Sequence, residues 1–393
     1  SDRLINEFLR PTLLVGLFKP PEELSAAVTM ELLYYYALAH QDSFDVRWIK
    51  SKSIAEHLFA PLSRRLVSRH QLQVLGGTLV RRVNLSPDSQ RVSSVELMNV
   101  ATKSVQVIDD VDAVVLAVGA KGLKSLMAQS PELSKAAPEL VSAASLGSID
   151  VVSARLWLDR YIPIAYPANV FSRFESLKGS GDTFFMLDQL HKDAQQALWG
   201  DEQPQGSVVA SDFYNASAIA AMSDQEIIAL LTRELLPIAH PEFTNARVVD
   251  SEVRRYPSSV SLFSPGSFRK RPPLETSVES IVCAGDWVRM GDREHGAKGL
   301  CQERAYVCGL EAGNSLIRRK IVNGADHSHP VLPIRADEPQ VILGRALNKL
   351  VMDPIEALGL KLPWFNIAAS ARLFSIASPH GDPRRRNPAA PPD

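Results

Sequence analysis

The sequence predicts an α/β chain of two lobes, each built from helices and sheet. Three observations carry this. First, Asp112-Ala113-Val114-Val115-Leu116-Ala117-Val118-Gly119 and Ile281-Val282-Cys283-Ala284 are continuous apolar runs. Such runs read as strands buried on both faces, the habit of parallel sheets. Second, each run is followed by a helical pattern, Lys121 to Gln129 and Glu303 to Gly313. Third, the stretch between them is rich in shorter strands, starting at Ser148 to Leu158.

Taken in order, residues 1–40 are helical in pattern. Leu13, Leu14, Leu17 and Phe18 follow Pro11, and a second helix opens at Pro20-Pro21-Glu22-Glu23 with proline and acid in its first turn. It runs on through Tyr34 to Tyr36, an aromatic run that reads as core or cavity lining. Ser53 to Leu66 places Ile54, Leu58, Leu62 and Leu66 at helical spacing. Leu72 to Val83, Val92 to Met98 and Ser104 to Ile108 read as a strand meander. Phe184 to Leu187, Val208 to Phe213 and Val248 to Tyr256 are further strands. Ser223-Asp224-Gln225-Glu226 is a capping box that opens a helix to Leu236. Pro257 to Pro273 is a Ser/Pro loop, and Asn323 to His329 a polar linker. A helical patch spans Val341 to Leu360, interrupted at Pro354, before a Pro/Arg/Ala-rich tail expected to be disordered.

At 393 residues there is ample chain for two or three domains. The net charge of -1 gives no basic field, so no nucleic-acid partner is expected. The three cysteines, Cys283, Cys301 and Cys308, lack metal-ligand spacing with histidine, and their odd number gives no disulfide framework. They read as reduced thiols, with Cys283 in the core and no metal site. No run reaches the apolar length of a membrane-spanning helix. Ser1 is neither an initiator Met nor the start of a signal, so a processed or truncated form is expected.

The chemistry concentrates where the second apolar run ends in Gly285-Asp286. A carboxylate leaving a strand end can accept bonds from the hydroxyls of a ribityl or ribose chain. A helix opening just beyond offers unpaired amides and a positive dipole end to a pyrophosphate or an electron-rich ring. The plainer reading is an ordinary βα unit, with Asp286 capping the downstream turn.

The order of elements resembles the flavin-containing amine oxidase family, most closely its carotenoid (phytoene) desaturase-like plastid and cyanobacterial branch. The resemblance rests on Phe8-Leu9-Arg10-Pro11, Gly77 to Val83, Asp112 to Ala117, and Phe263-Ser264-Pro265-Gly266-Ser267 through Ala284-Gly285-Asp286-Trp287 and Gln302 to Ala312. It implies FAD as cofactor and a partial FAD-binding Rossmann-like domain beside a substrate domain of helices and mixed sheet. Carried over, Val80 matches a position whose backbone meets the adenine. Gly285 and Asp286 match the strand end near the ribityl and pyrophosphate. Glu303, Arg304 and Ala305 match the helix start facing the flavin pyrimidine edge. Gly309 and Ala312 match small positions where that helix packs closely, which plain helix packing also explains. Catalytic residues remain unknown; His295 reads equally as a solvated loop residue.

The implied organisation is a substrate-side lobe from residues 1–65 and 125–250 and a remnant of the FAD-binding domain from 66–124 and 251–320. A helical extension at 321–377 and the tail at 378–393 complete it. The sequence departs from the family in having no Gly-x-Gly-x-x-Gly turn. Gly76-Gly77 lies too late, and Gly296-Ala297-Lys298-Gly299 lies after Asp286. The loop from Val288 to Cys301 is long and charged. Two readings follow: an FAD-dependent oxidoreductase on a small lipophilic substrate, a carotenoid among them, or a truncated non-catalytic relative serving as scaffold or assembly subunit with a protein partner. A plastid location, stroma or thylakoid surface, goes with the resemblance, with the cytoplasm as alternative. The apolar and basic segment from Val341 to Phe365 offers peripheral membrane contact, though packing on the protein's own surface explains such a stripe as well. Strands near Val74, Val114 and Val282 are expected to lie together, with an open edge on Val114 to Ala117 or on Ile281 to Ala284.

Overall fold

Val114 and Ile281, far apart in sequence, are register partners in a parallel pair of strands. This comes from a computed structural model that describes residues 2–34, 53–88, 90–193, 195–200, 203–291, 301–322, 328–332 and 338–357. The chain divides into two compact units, residues 1–334 and 335–393.

In the first unit a π-helical turn, Leu4–Leu9, runs into α1 (Arg10–Gly16), followed by α2 (Ala26–Leu33). Leu13, Leu17, Leu24, Val28 and Leu32 pack with Phe263 in a small core. Tyr35 and Tyr36 lie outside the described residues. A second π-helical turn, Ala55–Phe59, leads into α3 (Ala60–His70), which Gln71 ends in the left-handed conformation at φ 55°. The predicted apolar stripe of this helix is not buried: Ile54, Leu58 and Leu62 stay exposed.

The meander follows as β1 (Thr78–Leu85), β2 (Val92–Asn99) and β3 (Val105–Asp109), antiparallel in the order β1-β2-β3. The expected strand near Val74 does not form. Val74 is 68% exposed, outside any strand, because the turn at Gly77 (φ 63°) delays pairing until Thr78. Then come β4 (Val114–Leu116), α4 (Ala120–Gln129), α5 (Pro131–Ala136) and α6 (Pro138–Ala144). Pro131 and Pro138 each sit in a first turn, where a missing N–H costs nothing, and so break one long helix into three.

The second sheet has the order β6-β7-β8-β5-β9, with β5 (Ser148–Leu158), β6 (Ala168–Phe171), β7 (Gly181–Met186), β8 (Val208–Tyr214) and β9 (Val248–Ser261). Its pairings are all antiparallel, so the mixed character of the fold comes from β4 and its parallel partner β10 (Ile281–Cys283). Between these strands lie α7 (Leu187–Leu190), α8 (Gln195–Trp199), α9 (Ser217–Ala220), α10 (Asp224–Ala229), α11 (Leu236–Ala239) and α12 (Ser267–Lys270). The capping box is present as read: Glu226 N–H donates to Ser223 Oγ, and Ser223 N–H donates back to the Glu226 carboxylate. The long helix α13 (Gln302–Arg318) closes the site-bearing part.

Two large cores define the lobes. One joins β4, β10 and α13 with Leu123, Met127, Leu133 and Leu140 from α4 to α6. The other packs one face of the five-stranded sheet against α9, α10 and α11. The divisions expected at 125 and 250 therefore move: α5 and α6 stay with the first core through Ala144, and β9 stays with the second sheet through Ser261. The reason is length. A 14-residue edge strand pairs with β5 from Leu158 to Ser148, with a register shift that takes up Pro257 to Ser259 at an edge where the missing N–H of proline is tolerated.

The open edge falls on β4. Its one described partner is β10, toward which Val114 N–H donates to Ser280 O at 2.9 Å, while Ala284 N–H donates to Leu116 O at 3.1 Å. Alternation in a parallel ladder turns the amide and carbonyl of Val115 the other way. Val115 is 45% exposed, so the expected burial on both faces fails for this strand. By contrast β10 is fully buried, its far edge covered where Cys283 N–H donates to Leu274 O at 2.9 Å.

The second unit is described from 338 to 357, where α14 (Pro339–Ala357) carries Pro354 within it. The rest of the predicted extension and the tail at 378–393 lie outside the described residues.

Candidate functional site

A cavity of about 490 Å³ lies beyond the carboxyl ends of β4 and β10. That is where parallel strands commonly present ligands. Ala117, Val118 and Gly119 leave β4 along one wall, and Ala284, Gly285, Asp286 and Trp287 leave β10 along another. Gly119 precedes α4 and Cys301 precedes α13, so two helix N-termini open at the cavity. Each carries a partial positive charge and first-turn amides without partners inside the helix. The end of β9, Ser259 to Ser261, and Phe18 complete the lining from the other lobe.

Gly285 makes the strand exit. Its φ is 139°, and a Cβ there would stand 3.2 Å from the Trp287 ring. The turn delivers Asp286, whose carboxylate accepts the backbone N–H of Cys301 at the start of α13. Burial pushes the Asp286 carboxyl above its ordinary range, opposed by the Arg304 charge, the Cys301 amide and the Arg271 charge. Asp286 therefore anchors the helix start, as the plainer sequence reading has it, and also lines the cavity.

Arg304 is fully buried. Its Nε donates to Asp286 O at 2.6 Å and its Nη2 to Val288 O at 2.6 Å. It braces the chain leaving β10 and is not among the lining residues, while Ala305 is. Glu303 is exposed on the first turn and does not line the cavity. Val80 lies on β1, in the separate meander sheet, 45% exposed and away from the lining. Ala312 is buried as expected, but Gly309 is exposed, and a Cβ there would meet open space. Close approach is needed only on the face of α13 that meets β10. There Cys308 Sγ lies 3.9 Å from Cys283 O, and burial pushes the Cys283 thiol up to about 12.

Among the described lining residues the ionisable side chains are Asp286 and Cys301. His295 and the charged loop residues Asp292, Arg293 and Glu294 lie outside the described residues. The described residues hold no His/Cys/Asp/Glu group able to bind a metal ion.

Sequence reasoning missed Phe18 and the end of β9. Phe18 also lines a second cavity of about 550 Å³ between α1, α2 and β6, with Pro11, Thr12, Val15, Leu32, Leu33 and Val170. Its ring stacks on Tyr214, with centroids 4.2 Å apart.

Comparison with known proteins adds the family. The profile of the flavin containing amine oxidoreductase family matches residues 1–297. A carotenoid phi-ring synthase of Streptomyces griseus is 28% identical over 313 residues, which is 78% of this chain and 54% of that protein. One from Chlorobaculum tepidum is 31% identical over 209 residues, 52% of this chain and 30% of that protein. The 15-cis-phytoene desaturase, chloroplastic/chromoplastic, of Solanum lycopersicum is 25% identical over 182 residues, 45% of this chain and 29% of that protein. The chain thus spans about half the length of the first of these relatives, and less of the others.

Proposed function

The chain belongs to the flavin-containing amine oxidoreductase family, and on that premise we propose that it works as an FAD-dependent oxidoreductase on a small lipophilic substrate of the carotenoid class. One observation carries the reading: the cavity at the ends of β4 and β10 has two helix N-termini opening on it, beside a second cavity with aliphatic walls.

The residues present fit part of a flavin dinucleotide. The amides at the starts of α4 and α13 suit a pyrophosphate or the electron-rich edge of the ring. Asp286 suits the hydroxyls of a ribityl or ribose chain, and the small side chains of Gly285 and Ala305 leave room for close approach. When bound, the flavin supplies the acceptor for a hydride from a substrate C–H. The protein's part is orientation and electrostatics. Arg304 fixes the Asp286 and Val288 carbonyls, Trp287 packs under the Gly285 turn, and the adjoining cavity has apolar walls. Val80 and Glu303 belong to this proposal only as positions matched to the family.

The names of the carotenoid relatives support the substrate class, and that of the tomato relative supports a plastid location. Peripheral contact with a membrane rests on α14, where Ile342, Leu343, Leu347, Leu350 and Val351 are exposed at helical spacing near Lys349. No described helix is long and apolar enough to cross a membrane.

A second reading is a non-catalytic relative acting as scaffold or assembly subunit. The open edge of β4 favours it, because unpaired amides and carbonyls accept a partner strand. Absorbance of the purified protein separates the two. Flavin bound near one per chain supports the oxidoreductase. A colourless protein that stays colourless when reconstituted with FAD supports the scaffold.

A further inference from the structure

We propose that the cavity between α1, α2 and β6 binds an extended hydrocarbon chain and that the Phe18 ring is the partition between it and the cavity at the strand ends. The second half rests on the flavin reading. The lining is Pro11, Thr12, Val15, Leu32, Leu33 and Val170 with Gly16 and Phe18. Thr12 carries the one hydroxyl among the described lining residues, and that group already donates to Phe8 O at 2.6 Å. Against the described residues a ligand meets carbon on its sides and no unsatisfied polar side chain, so a hydrocarbon suits these walls and a polar group would find no partner on them.

Among the described residues, Phe18 is the one that lines both cavities. Its backbone gives an independent observation. It follows the end of α1 at φ 60°, the left-handed position that glycine usually takes after a helix. A bulky side chain at positive φ is an outlier, and such strain persists where the surroundings over-determine it. Two neighbours do so here: Leu17 is fully buried just before it, and the ring stacks on Tyr214 with planes 27° apart. Glycine would make the same turn without strain. What Phe18 adds is a ring standing where the two cavities meet.

Fluorescence of cis-parinaric acid, a polyene fatty acid, tests this on the full chain. Decanoate and stearate serve as short and long competitors, and bound flavin is read separately by absorbance. Val170 is 46% exposed on a strand paired on one side, so Val170→Trp fills the cavity without disturbing a core. It should weaken parinaric binding at least tenfold. Phe18→Ala should leave competition by decanoate unchanged and strengthen stearate several-fold. Phe18→Gly, for which φ 60° is unstrained, should do the same and keeps the test informative if the alanine variant does not fold. Binding unchanged by Val170→Trp overturns the hydrocarbon site. Short and long chains strengthened alike by loss of the ring overturns the partition. A protein without flavin whose parinaric binding still falls in Val170→Trp supports the hydrocarbon site while removing the flavin reading.

Discussion

Arg304 Nε donates to the carbonyl oxygen of Asp286 at 2.6 Å, tying the first turn of α13 to the chain leaving β10. With its Nη2 bond to Val288 O, one buried guanidinium serves two carbonyls that have left the sheet. Arg304→Met would leave both unpaired, each at a cost of about 1–3 kcal/mol. A destabilisation of about 2–6 kcal/mol is expected from denaturant unfolding. Arg304→Lys keeps the charge without the planar fork and should recover less than half of the loss. A lysine variant as stable as the parent would remove the bracing role.

Asp286 combines a cap with a cavity-facing carboxylate. If flavin binds there, Asp286→Ala should weaken flavin binding roughly tenfold to a hundredfold, the worth of one charged hydrogen bond. Flavin content and melting temperature measured on the same two proteins separate the roles. Unchanged flavin with a lowered melting temperature would leave Asp286 a cap alone.

Asp182 sits fully buried among the apolar residues of the second core, and Ser211 Oγ donates to it at 2.5 Å. Burial pushes its carboxyl up to about 8, with the Asp212 charge adding to the rise and the Ser211 bond opposing it. In the unfolded chain it ionises near 3.8. The folded state therefore holds the proton more tightly, and stability present below pH 3.8 is lost as pH rises toward 8. Asp182→Asn removes the titration. The two proteins should be similar in stability at pH 4, and the variant should be ahead by at least about 3 kcal/mol at pH 8. Parallel stability curves between these pH values would contradict the assignment.

Phe18 carries strain as well as contact. Phe18→Ala and Phe18→Gly both lose the stacking on Tyr214, but only glycine relieves φ 60°. The glycine variant should be more stable than the alanine variant by about 1 kcal/mol in thermal or denaturant unfolding. The reverse order would mean that the turn relaxes in the variants.

The features legible in the sequence were local. The strand at Ser148 to Leu158, the Ser223–Glu226 capping box and the helix after Lys121 each depend on side-chain period and first-turn chemistry, which neighbours in the chain decide. The apolar runs around Val114 and Ile281 announced a parallel pair because both carry the same unbroken pattern. Gly285 and Asp286 were visible as a strand exit for the same reason.

Tertiary structure alone decided which faces are buried and which side chains meet. Val115 and Val282 look alike in sequence, yet one is exposed and the other buried, because β10 has neighbours on both edges and β4 has a described neighbour on one. Gly309 looked like a packing position and faces open space, since only one side of α13 meets β10. Phe18 and Ser259 to Ser261 reach the cavity from the other lobe, and no spacing within a segment encodes a wall shared by residues more than two hundred positions apart. Sequence periods set the elements. The cavity is the space left where elements distant in the chain pack, so its shape and its boundary at Phe18 exist only once both cores have formed.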